Sequence, residues 1–332
     1  MKVAVCIISY RRPEGLKRLV DGLNRLTFHK CREVPSLKVI VVDNDSSGLA
    51  CNFCDEARTS LNWSLECSVE PRRGIPYARN TAVARAVEED MDFVAFIDDD
   101  EVPEPSWLDE LLYVQRTWSA DVVTGPALPH FTVPVAAWIE RGKFFESSRN
   151  LTGQRIGWAS SRNVLVRSEL FKNMDKHFDE RFPLLGGSDV EFFERADRAG
   201  YKIVWADEAL VHEWIPKSRA NLRWLLKKSY RYGNHYSLRR SEFEPSMAVR
   251  ANLVAEAGKS IAGGLVDLLS HLPRSLTVGH RPLAEIRNFR SPIKVVRRIR
   301  LLKSLQRIGY GMGILLGTVG KRYEAYRQTT SV

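Results

Sequence analysis

No stretch of this 332-residue sequence stays apolar for the roughly 18 residues that a membrane-spanning helix needs. The longest uncharged run near the C-terminus, Ile308 to Gly320, is too short to cross comfortably. There is no G-x-x-x-x-G-K-[ST] phosphate loop, and the stretch RRGIPYARN lacks the glycines of a dinucleotide fingerprint, so neither nucleotide-binding class is indicated. Internal repeats and low-complexity segments are absent as well. Cysteine is sparse and odd in number, at five, and no signal pattern opens the chain, which sets the expectation of a reducing cytosol. Cys51 and Cys54 form a C-x-x-C that Cys31 and Cys67 could complete as a four-sulfur zinc site. However, Cys31 precedes and Cys51 follows the apparent strand LKVIVVDND, about 30 Å long at about 3.3 Å per residue, which argues against zinc.

What is present is an ordinary globular composition, 44% apolar and 27% charged, in a chain long enough for one large domain and an appendage. The formal charge of +10 is unevenly placed. From Arg281 onward there are 12 Lys and Arg against 2 acidic residues, while the other 38 basic and 38 acidic residues cancel. The surplus therefore belongs to the C-terminal part and suits an anionic surface. It lacks the aromatic interleaving of single-strand readers, so no nucleic-acid partner is expected.

The first 130 residues alternate strand and helix. KVAVCIISY, LKVIVVDND, WSLECSVE, DFVAFIDDD and ADVVTGPAL read as five strands. Between the first two, Pro13 opens a helix with Leu16, Leu19, Val20, Leu23 and Leu26 on one face. Apolar strands joined by helices imply a mostly parallel sheet covered on both faces, whose ligands bind beyond the carboxyl ends of the strands. Those ends carry Asp43 and Asp45, and Asp98, Asp99 and Asp100. Further on, NVLVRSELF reads as a strand entering a helix, and GGSDVEFFERADRAG as a helix with a Ser188–Glu191 capping box and Gly200 just past its end. YKIVWADEALVHEW gives one or two short strands, and beyond Arg240 the chain is helical and basic, with Gly309, Gly313 and Gly317 at a four-residue spacing that permits close helix packing.

Like charges gathered at a strand end repel unless they are solvated or bind a cation. Asp98 and Asp100 share one side of an extended segment and Asp99 the other, so Asp100 can hold a hard divalent cation together with phosphate oxygens. A solvated acidic turn is the competing reading. Arg72, Arg73 and Arg79 crowd the start of a helix, against its dipole, which asks for an anion or for plain solvation. Asp189 lies in the first turn of its helix, where the dipole keeps a carboxylate ionised as a general base requires; a dipole-matching acid is the alternative. His212 could ligate a metal or serve structurally.

In this order, SYRRPEGL, VVDNDSSG, GIPYARN, FIDDDEVPEPSWL, NVLVRSELF, GGSDVEFFERADRAG and VHEWIP resemble the motifs of a family 2 glycosyltransferase of GT-A fold, most like the exopolysaccharide, succinoglycan-type glucosyltransferases. The resemblance spans about residues 2–235 and implies an α/β fold with a mostly parallel central sheet flanked by helices, plus a basic helical C-terminal extension. Residues 1–235 would form the catalytic domain, with a nucleotide-sugar half (1–130) and an acceptor half (131–235), and 236–332 a membrane-associating extension. It also implies roles: Asp43, or less so Asp45, on the uracil; Tyr10, Arg79, Asp98 and Asp99 on the UDP-sugar; Asp100 and His212 on Mn²⁺ or Mg²⁺; Asp189 as base; and Trp158, Asn163, Glu191 and Trp214 toward the acceptor. Ser188 stands where the family carries an acid, and Glu191 replaces a following Asp. The implied activity is inverting transfer of a hexose, UDP-glucose favoured, to a growing polyprenyl-diphosphate-linked oligosaccharide of a cell-surface polysaccharide, carried out by a peripheral protein at the cytoplasmic face of the inner membrane. A catalytically inactive nucleotide-sugar-binding module and a metal-dependent nucleotidyltransferase are the alternatives.

Overall fold

The computed structural model describes residues 1–181, 183–271 and 292–324. Of the basic C-terminal surplus, Arg281, Arg287, Arg290 and Arg327 lie outside the described residues. The chain begins β1 (Lys2–Ser9), α1 (Pro13–Leu23), β2 (Ser36–Asp43), α2 (Leu49–Ala57), β3 (Ser64–Val69), α3 (Ile75–Glu88), β4 (Phe93–Ile97), β5 (Glu101–Pro103) and α4 (Trp107–Trp118). Then follow β6 (Val122–Thr124), β7 (Ala127–Phe131), α5 (Ala137–Gly142), β8 (Asn163–Arg167), α6 (Ser168–Asn173), α7 (Ser188–Arg198), β9 (Ile203–Trp205) and β10 (Val211–Ile215). Three long helices close the sequence: α8 (Leu222–Phe243), α9 (Met247–His271) and α10 (Pro292–Thr318).

Among the described residues two compact units emerge, one formed by those within 1–130 and 146–214 together with Glu324, the other by those within 131–145 and 215–323. In the first, a seven-stranded sheet runs β3-β2-β1-β4-β8-β6-β9. β1 pairs in parallel with β2 and β4, and β2 with β3, whereas β8 runs antiparallel between β4 and β6. The register sets Ser9 beside Asp43 and Asp43 beside Val69, so the carboxyl ends of β1, β2 and β3 form one rim. Apolar layers cover both faces. One gathers Leu16, Leu19 and Leu23 of α1 with Leu108 and Leu111 of α4; the other gathers Ala78 and Ala82 of α3 with Phe192 and Phe193 of α7.

The expected fifth strand, ADVVTGPAL, is split. A side chain at Gly125 would meet the Ala209 carbonyl at 2.5 Å, so the backbones approach closely there, and Pro126 removes an amide; β6 ends and β7 joins a separate sheet of order β5-β10-β7. Cysteine pairing also departs from the expected free thiols. Cys51 of α2 is bonded to Cys67 of β3, across 16 residues of sequence, while Cys6, Cys31 and Cys54 are free. This pairing removes the four-sulfur zinc arrangement altogether.

The second unit has two small cores. Trp138, Ile139 and Phe145 meet Ile215, Leu225, Val295 and Leu302, and Phe145 stacks on Trp224 at 5.3 Å. Leu253, Ala257 and Ile314 form the other. Here the glycine series has a definite role. Side chains at Gly233 and Gly313 would strike the Tyr310 and Tyr230 carbonyls, so α8 and α10 touch backbone to backbone. Gly264 and Gly311 let α9 approach α10 as well, though less closely, since a Cβ there would stand 2.9 Å and 2.8 Å from the Ser304 and Ala257 carbonyls. Asn234, fully buried in α8, fixes the end of the bundle: its amide donates to the Lys321 carbonyl at 2.8 Å and accepts from the Tyr323 N–H at 2.9 Å.

Candidate active site

The acidic rim of the first unit is organised by two consecutive arginines just past β1. Arg11 adopts φ +54°, a conformation that side chains seldom tolerate, and from it grips Asp45 through two bonds of 2.9 and 3.2 Å. Ser47 Oγ donates to the same carboxylate at 2.7 Å. Together the Arg11 bond, foremost, and Ser47 hold the Asp45 pKa below its ordinary value. Arg12 then places one nitrogen, Nη1, 2.9 Å from both Asp99 Oδ1 and Asp100 Oδ2. Asp99 is buried and also accepts from Ser9 Oγ at 3.1 Å; because residues 98–100 form a turn rather than an extended segment, Asp99 and Asp100 meet at one guanidinium instead of pointing to opposite sides as expected. Neither Arg11 nor Arg12 was assigned a role from sequence, although two cations directly after a strand that ends on this rim were the available signal.

Asp43 is wholly buried, and its oxygens accept the N–H groups of Asp45 at 3.0 Å and Ala50 at 2.8 Å. Burial raises its pKa against those bonds. Its carboxylate thus shapes the loop that enters α2. Beside it, Tyr10 lies beneath two guanidinium groups, Arg11 at 5.2 Å and Arg73 at 5.0 Å. The arginine cluster at the start of α3 is balanced by the chain's own acids. Arg72 makes two bonds to Glu70, of 3.0 and 2.9 Å, and lies over Tyr77. Glu70 is thereby drawn down to a pKa of about 2, with Arg72 as the leading cause.

Arg79 goes elsewhere. It is 7% exposed, and Nη1 reaches Ser188 Oγ at 3.3 Å and Asp189 Oδ1 at 3.9 Å. Its charge also acts on Asp98, whose pKa burial nonetheless pushes up to about 7, helped by Asp100 and Asp99. One guanidinium therefore stands between the acidic rim and the first turn of α7. Asp189, itself 7% exposed, accepts at Oδ2 from Ser160 Oγ (2.8 Å), Ser161 N–H (3.1 Å) and Ser161 Oγ (3.3 Å). Burial opposes its ionisation, but Arg79 and then Ser160 outweigh that and set the pKa below the usual carboxylate value. Ser160 and Ser161 had no assignment from sequence.

The expected capping box is not formed. The N-cap of α7 is Gly187 at φ +85°, with no side-chain cap, because the preceding Gly186–Gly187 turn lets the helix start one residue early. Ser188 is the first helical residue and faces Arg79, and Glu191 is buried and bound to Arg195, which also donates to the Lys176 carbonyl at 2.8 Å. Gly200, at φ +95°, does follow the helix end as expected. Asn163, expected toward the acceptor, is instead a buried knot: it accepts from Trp107 Nε1 at 2.7 Å and donates to the Pro126 and Ala209 carbonyls at 3.0 and 2.7 Å. Trp158 is exposed, and Trp214 stacks on His130 at 4.1 Å with Arg18 5.7 Å above it.

His212 sits on β10 opposite Val102, and its Nε2 lies 2.6 Å from Glu104 Oε1. Among the described residues no three His, Cys, Asp or Glu side chains converge as metal ligands. A cation at Asp100 would thus take most of its oxygens from a bound diphosphate, the usual habit of Mg²⁺-like ions. The donor set fits such an ion. Asp98 and Asp100 offer hard carboxylate oxygens, the donor type that such ions prefer. Behind the rim, fully buried Glu101 accepts from Arg162 Nε at 2.9 Å, while Arg162 Nη2 donates to Glu213 at 2.7 Å.

Residues 4–174 match the family described as Glycosyl transferase family 2. Over 260 residues, 78% of this chain and 82% of the relative, the sequence is 29% identical to the succinoglycan biosynthesis protein ExoM of Rhizobium meliloti (strain 1021). The fold is similar to that of the mannosyltransferase PcManGT from Pyrobaculum calidifontis, solved in complex with GDP-Man and Mn²⁺, with TM-score 0.59, 16% identity, and 96% and 87% of the two chains covered. It is also similar to residues 1–349 of S. aureus TarS, solved in complex with UDP-GlcNAc, with TM-score 0.51, 17% identity, and 92% and 90% covered. These neighbours share the GT-A architecture: a mostly parallel central sheet flanked by helices.

Proposed function

The chain belongs to glycosyltransferase family 2, and on that premise we propose that it moves a hexose, with inversion, from a UDP-sugar to a growing oligosaccharide on a polyprenyl diphosphate. UDP-glucose is the favoured donor and a cell-surface polysaccharide the destination. The observation that carries this reading is the position of Arg79 between the acidic rim and Asp189, which couples a site for a departing diphosphate to an ionised buried base.

In this reading the β1 and β2 ends hold the nucleotide, with Tyr10, Asp43 and Asp45 about the base and Arg79, Asp98 and Asp99 along the donor. Asp100, with His212 as second ligand, would hold Mn²⁺ or Mg²⁺; when bound, the ion would neutralise charge growing on the diphosphate as it leaves. The acceptor hydroxyl oxygen bonds to the anomeric carbon from the face opposite the diphosphate. The carbon–oxygen bond to the diphosphate breaks, its electron pair leaves with UDP, and the hydroxyl proton passes to Asp189 Oδ1, the oxygen on the Arg79 side. A single displacement turns an α-linked donor into a β-glycoside. Trp158 and Trp214 remain the proposed acceptor contacts, whereas Glu191, buried and bound to Arg195, is no longer proposed as one.

Residues 1–235 are proposed to carry the transfer and 236–332 to associate, peripherally, with the cytoplasmic face of the inner membrane. The basic surplus supports this, as does the finding that no helix among the described residues is long and apolar enough to cross a membrane. A nucleotide-sugar panel tests the activity: UDP release from UDP-glucose with Mn²⁺ or Mg²⁺ and a lipid-linked acceptor extract is expected, with a β-linked product by NMR. Absence of release from every UDP-sugar, or an α-linked product, refutes it.

A further inference from the structure

Helix α9 presents an apolar surface on both sides. One side packs through Leu253, Ala257 and Gly264. On the other, Met247, Val254, Leu265, Val266 and Leu269 are 80, 48, 46, 65 and 68% exposed. At about 100° per residue these side chains share an arc of about 120°, and the intervening positions in that arc are all Ala or Gly. No charged or hydrogen-bonding side chain interrupts it for roughly 33 Å of helix. A helix with two apolar faces normally has both of them covered.

The borders of this face are basic. Arg250 lies on one edge and Lys259 on the other, both exposed. On the Lys259 side the Arg307 guanidinium packs against Gly263 and bonds Asp267 at 2.9 Å, and Arg297 donates to the His271 carbonyl at 3.0 Å. Asp267 is thus neutralised by Arg307, and Glu256 accepts from the Tyr236 hydroxyl at 3.1 Å. An isologous contact with a second copy would set one basic border against another. An anionic lipid surface matches both the apolar arc and its borders.

We propose that the outward face of α9 lies in the plane of an anionic membrane, its apolar side chains at the headgroup–acyl boundary and its basic borders on lipid phosphates. This rests on the peripheral-membrane part of the functional reading and goes beyond it, since charge attraction alone is screened by salt and apolar insertion is not. The test uses the full-length chain with phosphatidylglycerol–phosphatidylcholine vesicles, sedimented in 0.1 M and 1 M NaCl. The wild type is expected to stay bound at 1 M salt. The exposed triple variant Leu265→Ser, Val266→Ser, Leu269→Ser, checked for unchanged circular dichroism, is expected to bind at least about 30-fold more weakly at both salts. Arg250→Glu with Lys259→Glu should weaken binding at low salt. If the wild type sediments at low salt, is fully released at 1 M, and the triple variant binds equally, the inference on α9 is overturned while membrane association stands. If the wild type sediments with no vesicle at either salt, the membrane reading itself falls. Loss of self-association in lipid-free sedimentation velocity of the triple variant, with unchanged vesicle binding, would show that a second copy covers α9 and would also overturn the inference.

Discussion

Replacing Asp189 with Asn removes the charge from the proposed base while keeping its shape. Three hydrogen bonds reach Oδ2, from Ser160 and Ser161, and an amide oxygen can still accept them. The loss lies on the other side, where Arg79 Nη1 stands 3.9 Å from Oδ1 with both side chains about 10% exposed or less. Breaking half of a buried pair costs on the order of 3 kcal/mol. Asp98 still faces Arg79, and the buried carboxylate no longer needs to be desolvated, so the net loss should be about 1–2 kcal/mol, or roughly 2–6 °C in Tm. Transfer should fall much further, by about 100-fold or more, because a positioned base is lost. UDP affinity by calorimetric titration with Mn²⁺ should stay within about threefold, because no part of this base touches the nucleotide in the proposed mechanism. Glu191→Gln is the control: its carboxylate is bound to Arg195 and should give near-normal transfer. Most transfer surviving in Asp189→Asn, or an equal fall in Glu191→Gln, would refute the assignment.

Two further outcomes follow from buried charge away from the base. Arg162→Met leaves Glu101, which is wholly buried, and Glu213 without the cation they share, so urea denaturation should show a loss of about 3 kcal/mol or more, part of which Glu101→Gln restores in the double variant. Asp109→Asn removes a carboxylate that accepts the His29, Lys30 and Cys31 N–H groups at 2.8, 2.8 and 2.9 Å, at a cost of about 1.5–3 kcal/mol at pH 7. Burial raises the Asp109 pKa but the Lys30 and His29 amides more than offset it, so the folded value is depressed. Its stabilisation is therefore complete above the unfolded value near 4 and disappears as pH falls through the folded one; the gap between variant and wild type should be full at pH 7 and narrow as the pH falls below about 4.

Much of the first unit was legible because its signals are local. Apolar runs marked β1, β2 and β4, the last two leading into acids, and the spacing of Leu16, Leu19, Val20 and Leu23 marked α1, although Leu26 lies past the helix end. What escaped depends on partners far apart in sequence. Asn163 reads as a polar residue opening a strand, and only the approach of Trp107, Pro126 and Ala209 makes it a knot. The Glu101–Arg162–Glu213 chain likewise spans three segments. The Ser188–Glu191 spacing suggested a cap that the flexible Gly186–Gly187 turn bypasses. Cys51 and Cys67 carry no sequence sign that α2 and β3 bring them together. The aromatic residues of 131–145 likewise join a core completed by Ile215 and residues beyond it, a partnership that no local pattern announces.

That last arrangement imposes a timetable on synthesis. Trp138, Ile139 and Phe145 leave the ribosome long before Val295 and Leu302, the residues of α10 that complete their core. At about 5–20 residues per second the gap of roughly 150 residues lasts roughly 8–30 s. Throughout it the sheet of the first unit can already condense from residues 1–130 and 146–214, while the aromatic segment between them waits uncovered. Translation speed across the region encoding α8 and α9 therefore sets how long a sticky, half-built nascent chain is exposed to chaperones and to its neighbours on the same polysome.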